Sequence, residues 1–181
     1  LYIAYFNRAP DSVGLSFWGT SFSNGVSLEE IASFFIEQEE TQKIYPMGTS
    51  NSEFVTAVYE NVFGRVPDQA GFNFWVNSLD NSVVTGVSRD QFILEALRGV
   101  QEGSADREYL DKKVDIGAYF SIHSGMSNID NALAVMELYD GSQQSVGNAF
   151  EAIQDYYQAA LDPINGEFLM SVGGVLGFPY D

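Results

Sequence analysis

The sequence predicts an all-α protein. It reads as two similar three-helix units made by internal duplication, packed with further C-terminal helices and followed by an extended apolar tail. Three observations predict this. Apolar residues recur at helical spacing over most of the chain, and no stretch alternates at period two long enough to argue a sheet. Capping signatures stand before several of these stretches. One string occurs twice, as "NRAPDSVGLSFW" at 7–18 and "GRVPDQAGFNFW" at 64–75.

The duplication is explicit at an offset of 57, from Arg8 to Arg65. At that offset Tyr2, Phe6, Arg8, Pro10, Asp11, Gly14, Phe17 and Trp18 match Tyr59, Phe63, Arg65, Pro67, Asp68, Gly71, Phe74 and Trp75. The register continues through Asn24 and Asn81 and then slips by four, so that Gly25-Val26-Ser27 answers Gly86-Val87-Ser88. Four residues added to a loop cost little closure entropy, so both copies can share one fold.

Taken in order, the first helix of each unit is short, at 1–7 and about 52–63. A proline ends it, because proline breaks a helix interior and its predecessor avoids helical angles. The second helix begins at Pro-Asp and carries Phe-Trp. The third opens with "SLEE" at 27–30 and with "SRDQ" at 88–91, both read as Ser caps with a reciprocal Glu30 or Gln91. Leu28, Ile31, Phe34 and Phe35 then line one face, and Phe92, Leu94, Leu97 and Val100 do so less regularly. Further helices are expected at 106–120, at 127–139 with Ser127 as cap and Asp130 three residues on, and at 148–161, ended by Asp162-Pro163. The boundaries are thus 1–47 and 48–103 for the repeat units, 104–162 for the C-terminal helices and 163–181 for the Gly-rich tail, within one compact domain overall.

Composition narrows the function. The chain has 181 residues, of which 25 are acidic and 8 basic, for a formal charge of −17. Nucleic acid is excluded as a partner, since phosphate binding needs clustered Lys and Arg. With no cysteine and one histidine, thiolate sites and multi-histidine metal sites are excluded within the chain. No apolar run reaches the 18 residues of a membrane-spanning helix. The chain starts at Leu1 rather than Met, which suits a processed product or a piece of something longer.

Each residue of the repeated string has a structural task. Pro10 and Pro67 break the chain. Asp11 and Asp68 are placed to cap the amides of Gly14 and Gly71, with their carboxylates at the positive end of the helix dipole. Glycine there admits a close neighbour. Arg8 and Arg65 lie three residues before the Asp and can bridge to it. Trp18 and Trp75, with Phe17 and Phe74, read as plugs facing the neighbouring helices. A helix–turn–helix joint is therefore preferred to an Arg-Asp-Trp binding site such as a sugar-stacking surface, which needs exposed rings.

The string, the flanking "FVTAVYENVFGR" at 54–65 and "YLDKKVDIGAYFS" at 109–121 resemble a bacterial domain-of-unknown-function family. That family is built on G-R-x-P-D-x-x-G-x-x-x-W units. The resemblance covers roughly residues 1–140. Asn7 stands where the family usually has Gly. Members occur in large secreted proteins, including RTX-type (calcium-repeat) exoproteins, adhesins and S-layer proteins. The string is also distantly similar to the helical linker domain of phycobilisomes. The resemblance implies a helical scaffold at the bacterial cell surface or outside the cell, and it brings no catalytic residues.

No catalytic constellation is evident. His123, in "SIHSG", reads as a helix-end cap. Glu29/Glu30, Glu37/Glu39/Glu40 and Asp106/Glu108 read as solvated faces. Calcium is the most credible ligand, because it takes oxygen donors from loops. Its candidates are Asp80, Asn81 and Asp90, with Ser82 and Thr85 nearby, then Asp130, and then Asp162, Asn165 and Glu167. None has EF-hand spacing. The tail, with Phe168, Leu169, Val172, Val175, Leu176 and Phe178, is expected either to fold back on its own core or to serve assembly. The expected function is a non-enzymatic assembly module that associates with itself, a surface glycan or the envelope. A carbohydrate-binding module and a carboxylate-based hydrolase are the alternatives.

Overall fold

The structure, a computed structural model, describes residues 1–170. They are helical throughout, with no strand among them. The helices are α1 (Tyr2–Phe6), α2 (Ser12–Ser23), α3 (Leu28–Ile36), α4 (Glu39–Ile44), α5 (Asn51–Phe63), α6 (Gln69–Asp80), α7 (Ser82–Thr85), α8 (Arg89–Arg98), α9 (Ala105–Ala118), α10 (Ile129–Glu137) and α11 (Gln143–Ala160). A π-helical turn, Tyr119–His123, follows α9 directly.

The helix starts show how local chemistry sets the elements. Ser27 accepts from the Glu30 amide while the Glu30 side chain reaches back, which completes the expected capping box. Ser50 and Glu53 form a second, unexpected box at α5. The box expected at Ser88 does not form. Ser88 makes no cap bond, because its hydroxyl donates to the Asp90 carboxylate instead. Ser127 does not cap α10 either. Its hydroxyl pairs with Ser12 at 2.6 Å, and Asn128 caps the helix. The last helix is capped by Ser142 and begins five residues earlier than expected. The four-residue insertion of the second copy forms α7, a single turn whose Val83 and Val84 are almost wholly exposed.

The chain forms two compact units, and they do not follow the repeat boundaries. The first comprises Leu1–Asn7 and Gly25–Leu110. In it α3 packs along α8, α6 along α5, and α1 against α4 and α5. Aromatic rings fill the centre: Phe35 lies 4.7 Å from Phe6 and 5.7 Å from Tyr5, and Phe54 lies 5.5 Å from Phe92. Tyr45 donates to the Ala4 carbonyl at 2.9 Å, tying the end of α4 to α1.

The second unit comprises Arg8–Asn24 and, of the described residues, 111–170. Its core is Ile116, Phe120, Met126, Ala132, Val135, Val146, Ala149 and Ile153. Helix α2 belongs here rather than with α1 and α3. The Ala9 amide donates to Ala132 O at 3.0 Å and the Ser12 amide to Met126 O at 2.9 Å. These backbone bonds fasten the start of α2 to the π-turn region and α10.

Beyond α11 the chain reverses at Gly166, where a Cβ would come within 2.3 Å of two backbone oxygens. Met170 then donates to Gly125 O at 2.8 Å. Phe168 is exposed and Leu169 half-buried. Val172, Val175, Leu176 and Phe178 of the expected tail lie outside the described residues.

Candidate functional site

The two copies of the string adopt the same local geometry. Before each proline stands a left-handed residue that ends the first helix: Asn7 at φ 46, ψ 33 and Gly64 at φ 66, ψ 20. This explains the departure at Asn7, since asparagine is the side-chain-bearing residue that most readily replaces glycine there. Asp11 Oδ1 accepts from the Gly14 amide at 2.6 Å, and Asp68 Oδ1 from the Gly71 amide at 2.8 Å. Arg8 and Arg65 each donate to the next residue's carbonyl, at 2.9 and 3.0 Å.

The arginines then diverge. Arg8 is buried, and its guanidinium lies 3.4 Å from Asp11. Arg65 does not bridge to Asp68. It grips Asp106 in the same unit with two bonds of 2.6 Å, a geometry that raises the already high Arg65 pKa. The close approach expected at Gly71 is an ordinary contact: a Cβ there would lie 3.5 Å from Asp68 Oδ1 and 3.6 Å from the Tyr59 hydroxyl.

The aromatic pairs differ from the expected plugs. Trp18 and Trp75 are half-buried, and Phe17 and Phe74 are each 61% exposed. Each Phe meets its Trp edge-on, at 5.1 Å in α2 and 4.9 Å in α6. The geometry has a simple cause. Adjacent residues point about 100° apart on a helix, and here the Trp direction faces the interior of its unit while the Phe direction faces solvent. Trp75 lies edge-on to Phe92 at 5.0 Å, and its indole N–H donates to the Tyr59 hydroxyl at 3.1 Å. Burial pushes the Tyr59 hydroxyl pKa up.

The calcium candidates do not assemble. Among the described residues no three His, Cys, Asp or Glu side chains come together as a metal-holding group. Asp80 accepts from Asn51, and Asn81 turns back onto Asn77. Asp90 accepts from Ser33 at 2.6 Å and from Gln91 at 3.0 Å, joining α3 to α8. Burial pushes the Asp90 carboxyl up, but these bonds and that from Ser88 outweigh it and hold the group below its ordinary value. Asp162 caps its own turn through the amides of Ile164 and Asn165, which lower its pKa. Glu167 accepts from Asn128 at 2.7 Å, and Asp130 is exposed on α10. Asp80, Asp90, Asp162 and Glu167 are thus committed to separate local structures.

Two features were not anticipated from sequence. One is an open groove of about 270 Å³ on the first unit, lined by Glu29, Glu30, Ser33, Phe34, Glu37 and Gln91. The other is the buried Lys113, whose ammonium is pushed down to about 8 by burial. His123 is exposed, with its ring 5.9 Å from Tyr119.

Residues 32–98 match the family model of a domain of unknown function, DUF4214. The matched segment starts within α3 and ends with α8, so it contains the second string and not the first. No curated protein and no solved structure matches the chain. Among the described residues no helix is long and apolar enough to cross a membrane.

Proposed function

We propose that the chain is a non-enzymatic structural module of a secreted bacterial surface protein, of the S-layer, filament or adhesin kind, that assembles through surface contacts. One observation carries the assembly role: helix α2 is uncharged and carries Val13, Leu15, Phe17, Trp18 and Phe22, yet buries only Ser12 among its twelve residues. A monomer rarely leaves such a helix open without a use for it. The extracellular setting rests on the resemblance of the repeated string.

A charge of −17 makes like subunits repel, and salt screens that repulsion over about 8 Å at physiological ionic strength. Self-association is therefore expected to strengthen with salt or calcium. Light scattering across a salt series, with and without chelator, checks this. A mass independent of protein concentration, salt and calcium overturns the assembly role.

The exposure of Phe17 and Phe74 also favours a second reading, glycan stacking on these rings. Glycan titration monitored by tryptophan emission separates the two readings.

A further inference from the structure

Within the assembly role proposed above, on which this inference rests, the sequence and exposure of α2 specify a contact. Val13, Phe17 and Thr20 stand at i, i+4 and i+7, so they share one face of the helix. All three are exposed, Val13 at 48% and Phe17 at 61%. Asp11, the nearest acid, is already paired with Arg8. From Ser12 to Leu28 the chain has no Asp, Glu, Lys or Arg, although 33 of its 181 residues, 25 acidic and 8 basic, are charged.

The missing charge argues for a particular partner. A basic partner is met by carboxylates, and this chain has them in excess elsewhere. A partner that is itself acidic is met where no like charges come face to face, because such juxtapositions cost several kcal/mol. The acidic partner always present is a second copy. Phe17 also lies near the midpoint of α2, so a twofold axis there sets Phe17 beside Phe17 and Val13 beside Thr20.

We propose that α2 is the self-association surface of this chain and packs antiparallel on α2 of a second copy. The helix is only about 18 Å long at 1.5 Å per residue, so the contact falls below the ~1,200 Å² of a stable interface. The dimer is accordingly weak and concentration-dependent.

Sedimentation of the full chain up to roughly millimolar concentration tests this. Monomer–dimer exchange is expected, with Phe17→Glu weakening it at least about tenfold. Phe74→Glu, at an equally exposed ring on α6, should leave it unchanged. Because the chain has no cysteine, Phe17→Cys provides a second readout: oxidation should give a covalent dimer far faster than with Phe74→Cys. Equal cross-linking at the two positions, or association indifferent to Phe17→Glu, overturns the α2 contact and leaves the assembly role standing. A strictly monomeric chain in salt and calcium overturns both, and assigns the face to another partner.

Discussion

Helices α2 and α6 start alike. Each follows a left-handed residue, an arginine bonded to the next carbonyl, a proline and an Asp cap. Past the Phe-Trp pair they diverge. In α6, Ser78 and Leu79 are buried in a unit where α5 and α8 flank the helix. In α2 the residue matching Leu79 is Phe22, and it is 53% exposed. The outer stripe diverges too, reading Val13, Phe17, Thr20 in one helix and Ala70, Phe74, Asn77 in the other. Similar joints thus fix how a helix begins, while what it packs on is decided elsewhere.

The largest test of this contrast removes the support of α6. Phe92 is fully buried between Phe54 and Trp75. Phe92→Ala should lower stability by about 3–5 kcal/mol and shift Trp75 emission to the red. Thermal denaturation in a Trp18→Phe background measures both, and a loss under about 1 kcal/mol would show that α6 does not depend on this ring.

Exchanging the left-handed residues probes the joint itself. A Cβ on Gly64 would lie 2.5 Å from the Tyr109 ring, so Gly64→Asn should cost about 2 kcal/mol. The reverse change, Asn7→Gly, should stay within about 0.5 kcal/mol, since glycine accepts the same angles. Equal urea shifts for the two would mean that the surroundings of the joints are equivalent after all.

Alkaline pH should separate the units most gently. In the second unit, burial of Lys113 penalises its charged form, so stability there rises as pH climbs from about 8 towards the ordinary value of 10.5. In the first unit, burial pushes the Tyr5 and Tyr45 hydroxyls up. Their contribution is complete below pH 10 and declines above it, where the unfolded tyrosines ionise. Neither slope should exceed about 1.4 kcal/mol per pH unit for each group. Single-tryptophan variants report the two units separately, Trp18 the second and Trp75 the first. Urea midpoints that move together would sink the assignment.

The parts legible in the sequence were those decided within three or four residues. Proline breaks, the Asp11 and Asp68 caps and the Ser27 box depend on neighbours in the chain, and they appear where the spacing put them. Ser88 and Ser127 have equally good cap spacing, but Asp90 and Ser12 take their hydroxyls. The fate of α2 was illegible for the same reason. Its apolar spacing resembles that of α6, and the bonds that place it come from Met126 and Ala132, more than a hundred residues away. Trp75 packs on Phe92 and bonds to Tyr59, whereas Phe17 and Phe74 turn to solvent, and which ring faces inward is set by the helices alongside rather than by the string. The oxygen-rich loops suggest calcium by composition, yet Asp80, Asp90, Asp162 and Glu167 already accept from amides or hydroxyls of the chain itself.

The carbonyl of Gly125 accepts from both the Ser12 hydroxyl and the Met170 amide, at 2.9 and 2.8 Å. Two positions 158 residues apart, 12 and 170, therefore meet at one oxygen, and this sets an order of events during synthesis. The first unit has all its parts once Leu110 has emerged, with residues 8–24 looped out of it. The partners that hold α2, Met126 and Ala132, emerge about 20 residues later, and the bond from Met170 some 60 residues later. At typical elongation rates of roughly 5–20 residues per second, α2 waits about one to four seconds for its backbone partners, and longer for the last of these bonds. A helix with no charge and little to bury is well suited to that wait only if its contacts are weak, which is also what a reversible assembly requires.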